Sequence, residues 1–351
     1  MNNWQTKKLK YFLKVRHGKD QKLVEDKNGI YPILASGSEI GRTNSCLYSK
    51  PSVLIGKKGT IDKPQYIENP FWTIDTLFYT IIENNNKPKF FYYLFQTINL
   101  YKYNEDSTVP SLNSTTIESI VVKVPPLADQ EKIVSILSKQ DEVIEKLEDL
   151  IELKVKQKKG LMQRFIYTQK NTKSYKVKDL FELGRGRVIS KNEIKKNKGI
   201  YPVYSSQTLD DGILGYINTY DFECKCITWT TDGANAGDVF YRNGRFNCTN
   251  VCGIAKAKDE SMINLYYATC FLNHVTKKYV SYVGNPKLMN GVFAVIPLEL
   301  PEINIQNKVA SILSKCDEEI ELLKKKLELN KKQKKWLMQK LLSGEIRVKE
   351  V

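Results

Sequence analysis

The sequence predicts an α+β chain built twice over. Two tandem α+β domains are separated by two long helices, which form an intramolecular antiparallel coiled coil about a pseudo-twofold axis. Three observations predict this. First, residues 130–139 (QEKIVSILSK) reappear as 306–315 (QNKVASILSK), and 156–163 (KQKKGLMQ) as 332–339 (KQKKWLMQ), both at an offset of 176. Of the 34 positions from 130 to 163, 21 are identical in the second copy, more than a shared helical composition produces. Second, both copies carry a heptad seam. Third, short β-rich runs alternate with Gly, Asn and Asp turns in the segments between them.

Residues 1–124 form the first domain, with strands expected at 52–55 and 77–82 and a helical stretch at 90–99. Residues 125–168 form the first long helix. Pro125 and Pro126 precede it, because proline is tolerated before or within a first helical turn. Its seam runs Ile133, Leu137, Gln140, Ile144, Leu147 and Ile151, lapses at Lys154 and Lys158, and resumes at Leu161 and Phe165. Residues 169–300 form the second domain, with a strand at 226–230 and a helical stretch at 265–273. The second helix, 301–345, follows Pro301 and leaves a tail to 351. Its seam is Val309, Leu313, Cys316, Ile320, Leu323 and Leu327, with lapses at Asn330 and Lys334 before Leu337 and Leu341.

An isolated heptad helix is marginal in water, and the only matched partner in the chain is the other copy. About 40 residues at 1.5 Å rise make a rod of ~60 Å. With one domain at each end, the second helix must run back along the first, bringing residues 343–351 near the chain's beginning. The offset is 176 at Pro125/Pro301 and at 110–112 (PSL) against 286–288 (PKL), but 170 at 29–32 (GIYP) against 199–202 (GIYP). Strand order does not follow from these patterns.

Composition narrows the function. With 351 residues, 41% of them hydrophobic, the chain is no disordered polymer. No apolar run approaches the ~18 to 20 residues that span a bilayer. The polar start, Met1 to Lys10, lacks the apolar core of a secretion signal. Seven Cys read as reduced thiols of a cytoplasmic protein. The formal charge of +16 favours a polyanionic partner, nucleic acid before a membrane surface. The competing explanation of the charge is a Lys-rich composition inherited from an AT-rich genome. Dimeric DNA readers set two heads ~34 Å apart on one face of a duplex. Two fused and diverged heads therefore suit two different half-sites with an unread spacer between them.

The chain resembles the specificity subunit of a type I restriction–modification system. The resemblance is carried by 120–134 (IVVKVPPLADQEKIV), 157–163 (QKKGLMQ), 333–348 (QKKWLMQKLLSGEIRV), 29–34 (GIYPIL), 53–59 (VLIGKKG) and 70–76 (PFWTIDT). It covers essentially the whole chain, and it implies a non-catalytic role. The two domains become target recognition domains reading a bipartite, asymmetric site in double-stranded DNA. The resemblance also implies that two adenine methyltransferase subunits dock on the helices and bring S-adenosylmethionine, and that restriction subunits, which use ATP and Mg²⁺, can join them. No cofactor belongs to the chain itself, and no membrane is involved. Lys154, Lys156, Lys159, Lys324, Lys325 and Lys331 are compatible with a docking face on the helices. The second domain departs from the first where 230–233 (TTDG) replaces 56–59 (GKKG).

The candidates for DNA contact are basic and polar turns. Lys57 and Lys58 sit between two glycines that let backbone approach a duplex. Arg185 and Arg187, in a Gly-Arg-Gly-Arg turn, can also fork onto guanine. Arg16, Lys19 and Arg42 form a looser set. Ser36, Ser38, Thr43 and Asn44 in the first domain, and Ser205, Ser206, Gln207, Thr230, Thr231 and Asn235 in the second, offer base-reading side chains; taken singly, each is more often an ordinary turn residue, and the loops carry the expectation as sets.

Other chemistries are weakly supported. Cys224, Cys226, Cys248 and Cys252 lack the spacing of a zinc ribbon or finger, and buried strand thiols are the plainer reading. His17 and His274 are too few for a His-rich metal site. No phosphate loop is present. The rival function is a stand-alone DNA methyltransferase or nuclease. Residues 69–72 (NPFW) echo an amino-methyltransferase motif, but they lack its second proline and any preceding Gly-rich cofactor loop, and they read as a turn opening a strand. No carboxylate cluster for Mg²⁺ stands out.

Overall fold

The computed structural model describes residues 4–83, 85–207 and 209–348. The chain divides into two compact units, Met1–Glu148 with Lys325–Val351, and Asp149–Lys324. The division falls inside both long helices.

The first unit holds strands β1 (Gln5–Lys8), β2 (Leu13–His17), β3 (Tyr31–Leu34), β4 (Glu39–Thr43), β5 (Ser52–Gly56), β6 (Gln65–Ile67), β7 (Trp72–Thr73), β8 (Leu77–Ile82) and β9 (Val121–Val124). They make a four-stranded sheet β2-β8-β5-β6, a three-stranded sheet β4-β3-β7 and the ribbon β1-β9. The helix Pro88–Thr97 starts on a proline, whose fixed φ suits a first turn. Its Phe90, Phe91 and Phe95 pack with Val15, Val53, Ile55 and Phe78 of the sheet. Ile133 and Leu137, early in the first long helix, enter the same core beside Met338, Leu341 and Leu342, late in the second.

The second unit holds β10 (Lys173–Lys176), β11 (Phe181–Arg185), β12 (Lys198–Tyr204), β13 (Ile213–Ile217), β14 (Phe222–Thr230), β15 (Val239–Cys248), β16 (Cys252–Ala257) and β17 (Pro297–Leu300). One six-stranded sheet, β11-β16-β14-β15-β12-β13, replaces the two sheets of the first unit, and β10-β17 is again a ribbon. The difference lies in β15, which pairs antiparallel with β14 and then parallel with β12. In the first unit the same path is split into β6 and β7 around Asn69-Pro70, where proline has no N–H for a ladder. Residues 69–72 are thus a turn opening a strand. The core stacks Trp229 on Phe293 at 3.8 Å between centroids and includes the helix Leu265–Val275. It takes Val309, Ala310 and Leu313 from early in the second long helix, beside Leu161 and Met162 from late in the first.

The long helices span Leu127–Met162, continued by a π-turn at Gln163–Tyr167, and Ile303–Ser343. In each unit the start of one meets the end of the other, so they pair antiparallel. Every seam residue is buried or half-buried, including the polar ones. The lapses are filled by bonds between helices. In the first unit Lys334 pairs with Asp141 at 2.5 Å, and Gln140 donates to the Asn330 side chain at 2.9 Å. In the second, Lys158 pairs with Asp317 at 2.5 Å and Lys154 with Glu319 at 2.8 Å. Lys331 likewise pairs with Glu148 at 2.8 Å. Lys154 and Lys331 therefore take part in the helix pairing, and Lys156 pairs within its own helix with Glu152.

A buried glutamine fixes the root of each helix. Gln130 accepts from Lys87 N at 2.9 Å and donates to Pro125 O at 2.9 Å. Gln306 accepts from Asn264 N at 2.9 Å and donates to Pro301 O at 2.8 Å. At the chain's end, Gly344 lies against the Trp4 ring and Val348 packs on the first core; residues 349–351 lie outside the described residues. Among the described residues no helix is long and apolar enough to cross a membrane.

Candidate nucleic-acid interface

Each unit gathers its candidate segments around one turn. In the first unit this is Thr73–Leu77. Lys19 N donates to Thr73 O at 2.8 Å, Ile74 N to Leu34 O at 3.2 Å, and Lys57 N to Thr76 O at 2.8 Å. The chain before Lys19 passes so close that a Cβ on Gly18 would stand 1.9 Å from Ile74 O, so only glycine fits. In the second unit the turn is Cys248–Cys252. Arg187 N donates to Cys248 O at 3.1 Å, Thr249 N to Tyr204 O at 2.9 Å, and Thr231 N to Val251 O at 2.9 Å. The same three attachments recur, so Lys19 corresponds to Arg187, Leu34 to Tyr204, and Lys57 to Thr231.

The turn after β5 is pinned from its other side as well. Gly59 N donates to Pro110 O at 2.8 Å and Leu112 N to Lys57 O at 2.9 Å. Its counterpart after β14 has Gly233 N to Pro286 O at 3.0 Å and Leu288 N to Thr231 O at 3.0 Å. Gly59 and Gly233 both take positive φ, 82° and 95°. The backbone is shared while the chemistry differs, with Lys57 and Lys58 in one turn and Thr231 and Asp232 in the other.

The remaining candidates fall into three groups. Arg16, Lys19, Ser38, Lys58 and Arg185 are exposed, and Ser36, Lys57, Ser205, Ser206, Gln207 and Asn235 are half-buried at turns. Arg42, Asn44 and Arg187 are exposed but held. Arg42 pairs with Glu39 at 3.1 Å, and Asn44 donates to Asp26 at 2.7 Å. Arg187 lies between Glu193 at 2.7 Å and Asp221 at 2.9 Å. The bond to Glu193 raises the Arg187 pKa, and the same bond holds the Glu193 carboxyl below the usual range. Thr43, Thr230 and Thr231 are corrections. All three are buried, and a buried side chain does not meet a duplex. Thr43 occupies a core position on β4 that Ile217, equally buried, fills on β13. The expected Gly-Arg-Gly-Arg turn is also corrected, since β11 continues through Arg185.

Sequence reasoning passed over Asp211 and Arg242, which hold the loop after Tyr204. Its signal was the repeat offset, which widens from 170 at Gly199 to 174 at Thr230. Cys226, Cys248 and Cys252 are buried with Phe246 and Ile254, and Cys224 packs beside them. Burial raises the Cys226 thiol pKa; hydrogen bonding with Cys252 and burial raise that of Cys248. The same hydrogen bond lowers the Cys252 thiol pKa. Among the described residues no three His, Cys, Asp or Glu are grouped to hold a metal. His17 stands edge-on to Phe78 at 4.9 Å, and His274 stacks on Tyr167 at 3.7 Å.

The α+β framework is doubled, and its two copies carry equivalent loop clusters whose chemistry has diverged. The family model described as the type I restriction modification DNA specificity domain matches residues 1–156 and 169–331, and the chain belongs to that family. Its role in such a system is DNA recognition, not catalysis. The chain is similar to the putative type I specificity subunit S.MpnORF201P of Mycoplasma pneumoniae, 36% identical over 61% of this chain and 92% of that one. It is 40% identical to the type I restriction enzyme MpnII specificity subunit of the same organism, over 46% of this chain and 49% of that one. The fold is shared with the crystal structure of a type I restriction–modification S subunit from M. genitalium, at a TM-score of 0.74 and 17% identity over 97% of this chain and 96% of that chain.

Proposed function

We propose that the chain reads a bipartite, asymmetric site in double-stranded DNA. Each recognition domain takes one half-site through the loops around its central turn. The observation that carries this reading is the recurrence of three backbone attachments beneath side chains that have diverged. A conserved scaffold with changed loop chemistry suits two heads reading different bases.

The paired helices serve as the spacer between half-sites and as the dock for two adenine methyltransferase subunits. Within the first unit, Leu329 and Trp336, spaced seven apart, form an exposed apolar stripe on the second helix, and Val143 stands exposed on the first. Such a stripe suits packing by further helices. S-adenosylmethionine belongs to the methyltransferase subunits, and ATP with Mg²⁺ to restriction subunits that join them. The test is methylome sequencing of a host with and without this chain. The expected outcome is methyladenine in a split, asymmetric motif that vanishes on deletion. Methyl transfer by the purified chain alone, given S-adenosylmethionine and DNA, would overturn the reading.

A further inference from the structure

The hairpin β12–β13 corresponds to β3–β4, with Val203 facing Gly215 as Ile33 faces Gly41. Between its strands the described residues are Ser205–Gln207 and Leu209–Gly212, where the first unit needs only Ala35 to Ser38. The four added residues account for the change of offset from 170 to 174. A longer loop has more freedom to lose on ordering and needs an anchor.

Arg242 is that anchor. It faces Cys226 across the β14–β15 ladder, as Ile67 faces Ser52 in the first unit. There Leu34, Leu54 and Ile67 make an apolar cluster; the second unit places Tyr204, Thr228 and Arg242 at the same three positions. The Arg242 side chain is only 3% exposed. Its guanidinium lies 3.6 Å from the Tyr204 ring centroid and 4.5 Å from that of Phe240. Nε donates to Thr228 Oγ1 at 3.2 Å and Nη2 to Asp211 O at 2.8 Å, while Nη1 pairs with the Asp211 carboxylate. Asp211 and Gly212 both take positive φ, 54° and 82°, a conformation that only Gly visits freely. Ser205 N closes the loop onto Gly212 O at 2.9 Å, and Asn235 ties it to the neighbouring turn through Ser206 O at 3.1 Å. A buried cation without its partner is strongly unfavourable, so the cation and the loop's conformation stand together.

We propose that Arg242 is a positioning residue of the second recognition domain. By holding Asp211 and Gly212, onto which Ser205 closes, it places Ser205, Ser206 and Gln207 and so sets which bases that domain accepts. This rests on the reading of that loop as a DNA contact, and the experiment separates the two.

The full chain, co-expressed with its methyltransferase subunit, is used to select from a random pool of DNA duplexes. A Ser205→Ala/Ser206→Ala/Gln207→Ala variant tests the loop, and Arg242→Met, Arg242→Lys and Asp211→Asn test the anchor. The expected result is that the triple variant, Arg242→Met and Asp211→Asn alter the same half-site. Each lowers preference for its selected bases by about tenfold, the worth of one lost base discrimination. The other half-site is unchanged, Arg242→Lys recovers part of the preference, and the Arg242→Met/Asp211→Asn pair is no worse than either single variant. An unchanged motif with the triple variant shows that the loop does not read DNA. A motif changed by the triple variant but not by Asp211→Asn overturns the positioning role. Equal loss in both half-sites overturns it too, as a plain stability effect. The Asp211 side chain is 66% exposed, so Asp211→Asn keeps the test open even if Arg242→Met fails to fold.

Discussion

At the position where the first unit carries Lys57 and Lys58, the second carries the buried Thr231 and then Asp232 on the same backbone. The two turns therefore differ in charge by three units, counting two lysines against one aspartate. Lysine contacts phosphate as a point charge, and each such contact releases about one counterion. A Lys57→Ala/Lys58→Ala variant is expected to bind its duplex more weakly, with the slope of log affinity against log salt reduced by about two. Anisotropy titrations across a salt series measure this, and an unchanged slope would remove the turn from the interface. The buried thiols offer a second test. Burial raises the Cys226 pKa and pushes that of Cys270 up to about 11, while Cys46 is exposed. Iodoacetamide at pH 8 should label Cys46 in the folded chain and reach Cys226, Cys248 and Cys270 only on unfolding; mass spectrometry reads the order. Early labelling of Cys226 would contradict the packing. Turn residues were legible in the sequence as Gly-flanked or Ser-rich stretches. Their exposure was not, because Thr43 and Asn44 are neighbours of similar polarity and only the β4 register sends one into the core.

Among the elements, the long helices were the most legible, since a heptad seam and its flanking prolines are local signals. The seam also showed where it lapsed, but not why. Lys158 and Lys334 are equivalent positions, and each meets the equivalent aspartate of the other helix, Asp317 and Asp141. Half-buried charges at a seam specify register at some cost in stability. Reversing Asp141→Lys alone should therefore cost more than the pair itself contributes, about 1 to 2 kcal/mol, because two cations would then face each other. Adding Lys334→Asp should recover most of it. Urea unfolding of the two single variants and the double variant gives the coupling, and strict additivity would show that the pair does not act. The exposed stripe gives a different prediction. Leu329→Glu with Trp336→Glu should leave helicity by circular dichroism intact and abolish co-purification with the methyltransferase subunit. Retained co-purification would place the dock elsewhere. Strand order escaped the sequence because ladders join distant residues. β15 crosses between partners that sequence proximity does not suggest, and the split of its counterpart at Pro70 shows only once the partners are known.

For the whole molecule, the proposed bipartite reading makes a geometric claim. The repeat of 176 residues puts one recognition domain and one long helix in each copy, and the helices pair antiparallel within each unit. If these helices are the ruler between half-sites, their length must set the unread spacer. One extra heptad in each helix, inserted at equivalent positions so that Lys158–Asp317 and Lys334–Asp141 keep their partners, preserves the seam and adds ~10 Å at 1.5 Å per residue. At ~3.4 Å per base pair this is about three base pairs. The methylated motif should keep both half-sites and widen its spacer accordingly, with a change of face around the duplex as the main penalty, because three base pairs also rotate one half-site by about a third of a turn. Insertion in one helix only breaks the seam's register and should abolish methylation rather than shift it. Methylome sequencing of a host carrying each variant reads both outcomes. An unchanged spacer in the double insertion, with methylation retained, would mean that the DNA or the partner subunits hold the half-sites apart and that the helices serve only as the dock.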